Sequence, residues 1–588
     1  MFEPSAETVT KNEFDEFETI FGGSRIETVN KESNEWPPPA LGDAAIKRTD
    51  SLESPQTPLF DEDTSQPLED FPPKYEGPGW EMYLRHPTKK KLTGNRFWKK
   101  IFVKLSENSV VQLYNKKEDN DPFQELPLQA CYSLSEISAQ QYDQYGKIFT
   151  VKLQYIFYRE RVGVRKGQIA KVMQGQIMSV GQIAKLGMPL EHAPQISQLL
   201  KLGTQNYDDL KVFALQVEDA LFHMSIHRDR ALTYKTEEIQ VTVQDELYVE
   251  QTKTGYVTKQ LARVRLFFLA FINGMPSVEV GINDMTRQGK EVVGRHDIIP
   301  VVTEEWIRLE ACEFHASVIQ EEFENRTIKL HPPDACLFEL LRFRIRPPKN
   351  RELPLQVSTN LTVTRTKVEL RCEVLVPGCI SRKHGQIPCE DICIRLHIPE
   401  CWIYFFRTEK HLRYGSVKSA SRRPGKIKGI ERFLGATHNI EPTLLEASAG
   451  QAKYEHAFHS LVWRIPRLPK EGQGAYTQQL LLLRLPLTSF DQVPDKFYDY
   501  VHVEFTMPAT TVSHAVVRSI SVTNENPPEK FVRYVAKHEY KVEINVNYSL
   551  EENEYMAAAN VSPATTAAVP SQPTVEKEQK EDESDNSD

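Results

Sequence analysis

The sequence predicts a mainly β chain with two folded regions between acidic tails, and three observations lead there. From about Glu237 to Val546 strand-like runs such as RVRLFFLAFI at Arg263 and TKVELRCEVLV at Thr366 dominate, with little convincing helix. From Gly79 to about Arg161 shorter runs (WEMYLRH, WKKIFVKL, VVQLYNKK, IFTVKLQYIFYR) alternate with turns. After a Gln-rich stretch from Gln168 to about Gln198 comes one amphipathic helix, Tyr207 to about Met224, presenting Leu210, Phe213, Val217 and Leu221 on one face. At 588 residues the chain has room for two or three cores, since single cores rarely grow beyond about 250 to 300 residues.

The expected boundaries are an acidic tail at 1–75, a strand-and-helix domain at 76–233 with an insertion at about 162–200, a strand-rich domain at 234–547 and a second acidic tail at 548–588. Both tails are too polar to bury an apolar core and are expected to be disordered. Residues 1–75 hold 6 basic and 17 acidic side chains and residues 549–588 hold 2 and 10, so the net charge of -9 conceals a basic body. A basic body between acidic tails suits an anionic surface as partner. No apolar run approaches the roughly 20 residues that cross a bilayer, and the acidic N-terminus has no secretory pattern, so a cytoplasmic protein is expected.

Nothing in the motifs points to catalysis: there is no Walker loop, GxSxG, HExxH or Gly-rich dinucleotide turn, and no cofactor is expected. Eight cysteines without CxxC pairing suit reduced thiols. Cys389, Cys393, His397 and Cys401 recur every four residues, but in β-like text such positions sit about 13 Å apart, too far to share one ion. His223 and His227 have helical metal spacing without a third ligand, and solvated histidines are the plainer account. A binding module is therefore favoured over an enzyme.

Four blocks carry a family signal: NGMPSVEVGIND (Asn273 to Asp284), LHPPDACLFELLRFR (Leu330 to Arg344), AKYEHAFHSLVWRI (Ala452 to Ile465) and PPEKFVRYVAKHEYKVEI (Pro527 to Ile544). In this order they resemble the μ-homology domain of clathrin adaptor medium chains. Upstream, GWEMYLRHPTKKK from Gly79, FWKKIFVKL from Phe97, YDQYGKIF from Tyr142 and KLGTQNYDDL from Lys201 narrow the resemblance to the stonin, or stoned B, family of endocytic adaptors. The resemblance covers roughly Gly79 to Val546. It implies an elongated double β-sandwich with one subdomain inserted into the other, behind a pleckstrin-homology-like barrel and helix. It also implies an adaptor linking synaptotagmin C2 domains to the clathrin coat for synaptic-vesicle retrieval, peripheral at coated pits and presynaptic terminals. A medium-chain-like cargo subunit for another sorting step is the alternative.

Candidate sites follow. Basic residues Lys89, Lys90, Lys91, Arg96 and Lys99 surround the loop where pleckstrin-homology-like domains bind inositol phosphates, and a solubilising loop is the plainer account. Further basic positions are Lys367 and Arg371, sharing a strand face with Arg365, then Arg382 and Lys383, and Arg422, Arg423, Lys426 and Lys428 within a stretch from Arg407 to Arg432 of 9 basic and 2 acidic residues. Each cation near an anionic leaflet is worth about 1 kcal/mol, so such clusters suit a membrane. Nucleic acid is not expected, since no aromatic-basic interleaving accompanies them.

By the resemblance, the pocket that grips a Tyr-x-x-hydrophobic signal maps to Gln240, Thr242, Leu269, Phe531 and Arg533, where the family's Phe, Asp, Lys and Trp are replaced and its Arg kept. Loss of that pocket's function is expected. The cargo contact is assigned to Lys453 and Tyr454, adjacent strand residues that point to opposite faces; core packing of Tyr454 is the plainer account. Phe14, Phe17 and Phe21 at helical spacing, and Asp121-Pro122-Phe123, match peptides for adaptor appendages, with a plain turn as the other reading of the second. Leu59, Phe60 and Asp61 faintly resemble a clathrin-box peptide. Asn-Pro-Phe is absent, so an EH-domain partnership lacks its motif.

Overall fold

The computed structural model describes residues 60–85, 98–142, 146–162, 190–226, 233–301, 305–325, 327–348, 352–364, 366–378, 380–381, 385–406, 410–411, 420–421, 444–470, 472–487, 492–494, 496–523 and 527–548. The expected tail peptides at Phe14, Phe17 and Phe21 and residues 549–588 lie outside them.

Eight antiparallel strands form the N-terminal module: β1 (Trp80–Leu84), β2 (Lys99–Leu105), β3 (Val110–Tyr114), β4 (Gln124–Pro127), β5 (Tyr132–Leu134), β6 (Ser138–Gln141), β7 (Lys147–Val162) and β8 (Leu190–Thr204). Their order is β4-β3-β2-β1-β8-β7-β5, with β6 also on β7. The sheet encloses a core of Met82, Leu84, Val103, Leu113, Val151 and Leu202, which helix α1 (Tyr207–Phe222) closes with Leu210, Phe213 and Val217. Leu221 is half-buried on that core as expected, while Phe222 points away from it. Asn206 caps the helix, its side chain accepting from the Asp208 and Asp209 amides at 3.0 and 3.4 Å, and those two acids complement the helix dipole.

Two expectations for this region need correction. The insertion does not run to residue 200, because Leu190–Thr204 is strand β8, paired with β7 from Phe149 to Val162. Its polar text and Pro194 hid it. Proline is tolerated because β1 pairs only with Leu202 and Gly203, which leaves the Pro194 side of the β7–β8 ribbon as an edge. The acidic tail does not extend to residue 75 either. Phe60 lies under the Arg308 guanidinium at 5.2 Å, the Asp61 amide donates to the Arg346 carbonyl at 2.9 Å, and Arg344 donates to the Glu69 carbonyl at 2.7 Å. Phe71 sits under Arg263 and Arg344. An acidic-aromatic segment thus finds a face of arginines, which tail composition alone does not reveal.

The strand-rich region is built on one nine-stranded sheet. Its order is Glu310–Phe314, Phe338–Ile345, β10 (Val257–Phe271), β9 (Glu238–Gln251), Glu529–Glu543, Tyr500–Pro508, Cys389–His397, Ser460–Leu468 and Gln451–Glu455. A three-stranded sheet (Ile328–Leu330, Val278–Ile282, Val517–Val522) covers one half of it, and a five-stranded sheet containing Gln356–Val363, Lys367–Leu375 and Gln479–Pro486 covers the other. Each pairing encloses its own core, one around Val241, Leu266, Phe268 and Val280, the other around Leu370, Ile394, Trp463 and Val503. The second core draws mostly on residues between Leu353 and Met507, inside the chain span of the first, which is the inserted double sandwich that the resemblance implies. Cys389, Cys393 and His397 do lie on a strand, with Cys401 in the 3-10 turn beyond.

Strict alternation in β9 sends Ile239, Val241 and Val243 into the cores and leaves Gln240, Thr242, Gln244, Glu246, Tyr248 and Glu250 on the opposite face. That polar face positions everything below.

Candidate functional site

Helix α1 lies on the polar face of the nine-stranded sheet and is held there by ion pairs to buried arginines. Arg265 of β10 donates to Glu218 of α1 at 2.7 Å, to Glu339 at 2.7 Å and to Glu246 at 3.2 Å. Arg342 donates to Asp219 of α1 at 2.6 Å and to Glu339, and its guanidinium lies 3.8 Å from the Phe222 ring centroid. At the other end of the helix the Tyr207 hydroxyl donates to Glu504 at 3.2 Å, and the Arg395 fork donates to the two oxygens of the same carboxylate at 2.9 and 3.0 Å. Lys211 pairs with Glu539, and Phe458 packs on Phe149 and Tyr207.

These carboxylates stay ionised against burial. Burial would raise the Glu246 pKa, but Arg265 and Arg263 outweigh it and hold the group at about 2. Burial acts the same way on Glu504 and Glu339, and the arginines beside them bring both below the ordinary value. Removing one member of such a network leaves a buried charge uncompensated, which costs far more than an exposed pair does.

A second docking point comes from the β7–β8 ribbon. His192 stacks on Phe271 at 3.9 Å, Tyr158 meets the same ring edge-on, and Glu160 accepts from the Lys235 amide at 2.8 Å.

The five positions of the expected tyrosine-signal pocket lie between these two contacts. Gln240, Leu269 and Phe531 form one cross-strand row, and Thr242 and Arg533 belong to the next, with Phe267. On one side the Glu238–Phe271 row is under the ribbon, and on the other the Gln244–Arg265 row is under α1. Exposure runs across the row: Leu269 is 4% exposed and Phe531 47%. Sequence reasoning put these residues together but missed what flanks them. A signal was available: Arg263 and Arg265 alternate on β10, as do Arg342 and Arg344 on Phe338–Ile345, and Tyr207, Lys211, Glu218 and Asp219 mark a second, polar face of α1.

The remaining candidates scatter. Lys453 is exposed with Glu455 at 3.5 Å, while Tyr454, on the edge strand Gln451–Glu455, is half-buried against the second core and stacked on Phe406. Lys367 and Arg371 are both exposed on one strand face, Arg371 beside Glu373 at 2.5 Å. Lys99 and the Asp121-Pro122-Phe123 motif, separate in sequence, meet: the Lys99 ammonium lies 4.2 Å from the Phe123 ring, whose amide donates to the Leu113 carbonyl. His223 is exposed, its Nδ1 near the Asp219 carbonyl. Lys89, Lys90, Lys91, Arg96, His227, Arg365, Arg382, Lys383, Arg422, Arg423, Lys426 and Lys428 lie outside the described residues. No helix among the described residues is long and apolar enough to cross a membrane.

Residues 225–545 match the adaptor complexes medium subunit family. The chain is 60% identical over 562 residues to protein stoned-B of Drosophila melanogaster, covering 91% of this chain and 44% of that protein. It is 35% identical over 473 residues to human stonin-2, covering 79% of this chain and 49% of that protein. The chain thus spans less than half the length of either of these two relatives. Among solved structures, the yeast delta-COP-I μ-homology domain aligns at 9% identity and a TM-score of 0.31, over 52% of this chain and 97% of that one.

Proposed function

We propose, since this chain belongs to the adaptor complexes medium subunit family and within it to the stonins, that it is a non-enzymatic endocytic adaptor which carries synaptotagmin, and with it synaptic-vesicle membrane, into clathrin-coated pits. The observation that carries the reading is the polar sheet face. A peptide signal would have to enter between α1 and the β7–β8 ribbon and would meet Thr242 where the resemblance calls for a carboxylate. A phenol left without its acceptor costs about 1 to 3 kcal/mol, roughly tenfold to a hundredfold in affinity. Cargo is then a folded domain read on the surface, and the edge strand with Lys453 exposed and Tyr454 anchored suits a C2 sandwich. The basic loops hold the anionic membrane, and the tail peptides engage coat appendages.

The test uses synaptotagmin C2 domains in pull-down with melting temperature measured in parallel. Lys453→Ala is expected to weaken binding at unchanged melting temperature, since Lys453 is exposed and the buried Glu455 keeps Arg464 at 3.1 Å. Tyr454→Phe keeps the stack on Phe406 and removes a hydroxyl that has no hydrogen-bond partner among the described residues, so it serves as the folded control. Binding retained by Lys453→Ala, alone and combined with Tyr454→Ala, would move the cargo surface elsewhere. Micromolar calorimetric binding of a Tyr-x-x-hydrophobic peptide, lost on Arg533→Ala, would restore the ordinary pocket. Liposome co-sedimentation should fall with salt and on neutralising Lys89, Lys90 and Lys91, or Arg422, Arg423, Lys426 and Lys428.

A further inference from the structure

Apart from the candidate basic loops considered above, a cavity of about 530 Å³ opens beside the three-stranded sheet of the first sandwich. Its wall holds Arg287, at the end of the 3-10 turn Met285–Arg287, and Lys290 just beyond, where the Lys290 amide donates to the Arg287 carbonyl at 2.9 Å. Arg287 is only 8% exposed, yet its Nη1 has no hydrogen-bond partner among the described residues. A buried guanidinium with an unused donor is costly unless something accepts from it.

Two features say that this donor is placed rather than stray. The first is Gly281 on Val278–Ile282: a Cβ there would fall 2.3 Å from both Arg287 Nη1 and Ser519 Oγ, so the guanidinium and the hydroxyl converge over bare glycine backbone. The second is the local charge balance. Glu279, which also lines the cavity, has Lys329 at 3.7 Å, and Glu291 accepts from Arg518 at 3.2 Å, so both acids are already matched. Burial pulls the Arg287 pKa down, and Glu291 and Asp284 offset this only in part.

We propose that this cavity binds a small polyphosphorylated ligand, held by the Arg287 guanidinium and the Lys290 ammonium with the hydroxyls of Thr286, Thr327, Ser519 and Ser521. Guanidinium and ammonium supply charge-assisted donors, and the hydroxyls satisfy the remaining phosphate oxygens. The volume falls in the range of small-molecule pockets, roughly 300 to 1,000 Å³, and exceeds a single phosphate several-fold, which favours a ligand carrying several phosphates on one compact frame. A free inositol polyphosphate and a phosphoinositide headgroup share that chemistry. The proposal is independent of the cargo reading and of the basic loops.

The experiment titrates myo-inositol hexakisphosphate into the full chain by calorimetry at physiological salt, with inorganic phosphate as a weaker probe. One saturable site is expected, weakened about tenfold to a hundredfold by Arg287→Met, as for the loss of a hydrogen bond to a charged group. Because Arg287 is buried and its variant could misfold, exposed Lys290→Glu is the second arm, expected to weaken binding at unchanged melting temperature. Neutralising Arg422, Arg423, Lys426 and Lys428 is expected to leave this site intact. Equal affinity in the parent chain, Arg287→Met and Lys290→Glu overturns the proposal, as does loss of the site with the four loop residues alone. Vesicles containing phosphatidylinositol bisphosphate then identify the source: capture that depends on Arg287 and competes with the soluble probe assigns a lipid headgroup, and soluble binding without such capture assigns a free metabolite.

Discussion

The two sandwich cores and the polar face that carries the N-terminal module are made from the same strands, which contribute alternate residues to each. On β10, Val264, Leu266 and Phe268 enter a core while Arg263 and Arg265 face the other way. The cores are non-directional and tolerate exchange of one apolar residue for another of similar volume. The polar face is the reverse: its contacts demand particular partners at particular distances, so it selects one docking arrangement while adding less to stability than its count of ion pairs suggests.

The largest expected effects come from deleting one member on each side. Phe268→Ala should cost about 3 to 5 kcal/mol as a core cavity. Arg265→Met should cost about 1 to 3 kcal/mol by leaving Glu246 to Arg263 alone and Glu339 to Arg342 alone, and adding Glu339→Gln should recover part of it because one under-compensated charge is then gone. Urea denaturation followed by tryptophan fluorescence would check both. For Arg265→Met a single transition should separate into two, the N-terminal module unfolding first; a single transition would mean that the module is held mainly by other contacts.

Acid should separate the two sides at different pH. Burial holds His315, which packs against Phe338, at about 4 rather than 6.5. It is neutral in the folded state while the unfolded chain takes up a proton, so its contribution, present above about 6.5, is lost as pH falls towards 4 and amounts to roughly 3 kcal/mol. Glu246 has a folded pKa of about 2 against 4.5, so its contribution, present above 4.5, is lost only as pH falls towards 2. Urea midpoints at pH 7.5, 5 and 3 should therefore drop in two stages, the first diminished by His315→Gln and the second by Arg265→Met. A single stage between pH 7.5 and 5 that His315→Gln leaves unchanged would contradict the assignment.

The smallest effect is expected where a polar contact is exposed. Lys99→Ala removes the ammonium from the Phe123 ring at a cost of about 0.5 to 1 kcal/mol. A change above 2 kcal/mol in the urea midpoint free energy would show that this contact belongs with the buried ones.

The same division explains what the sequence disclosed. Period-two alternation in Glu238–Gln251 and the helical spacing of Leu210, Phe213 and Val217 made strands, helix and cores legible, because burial of one face leaves a local pattern. The pocket row of Gln240, Leu269 and Phe531 needed a family resemblance, because the strand that carries Phe531 is distant in sequence from the two that carry Gln240 and Leu269. The docking of Glu218 and Asp219 on Arg265 and Arg342 left only the faint signal of alternating arginines and a second polar face on α1, since each of those charges looks locally like a solvated surface residue. Strand Leu190–Thr204 was hidden by its polarity and Pro194, and the segment from Phe60 by its resemblance to the acidic tail before it. Lys290 and Arg287 carry no local sign of convergence, because Gly281 and Ser519, which bring the cavity together, come from other strands.

β9 pairs in parallel, over its whole length from Glu238 to Gln251, with a strand that begins at Glu529. During synthesis at roughly 5 to 20 residues per second, the partner of β9 leaves the ribosome about 15 to 60 s after it, and until then one edge of a long, half-apolar strand has no neighbour. The middle of the sheet is thus the last seam to close, and any chain cut short before Pro527 exposes an adhesive strand rather than merely losing a C-terminal tail.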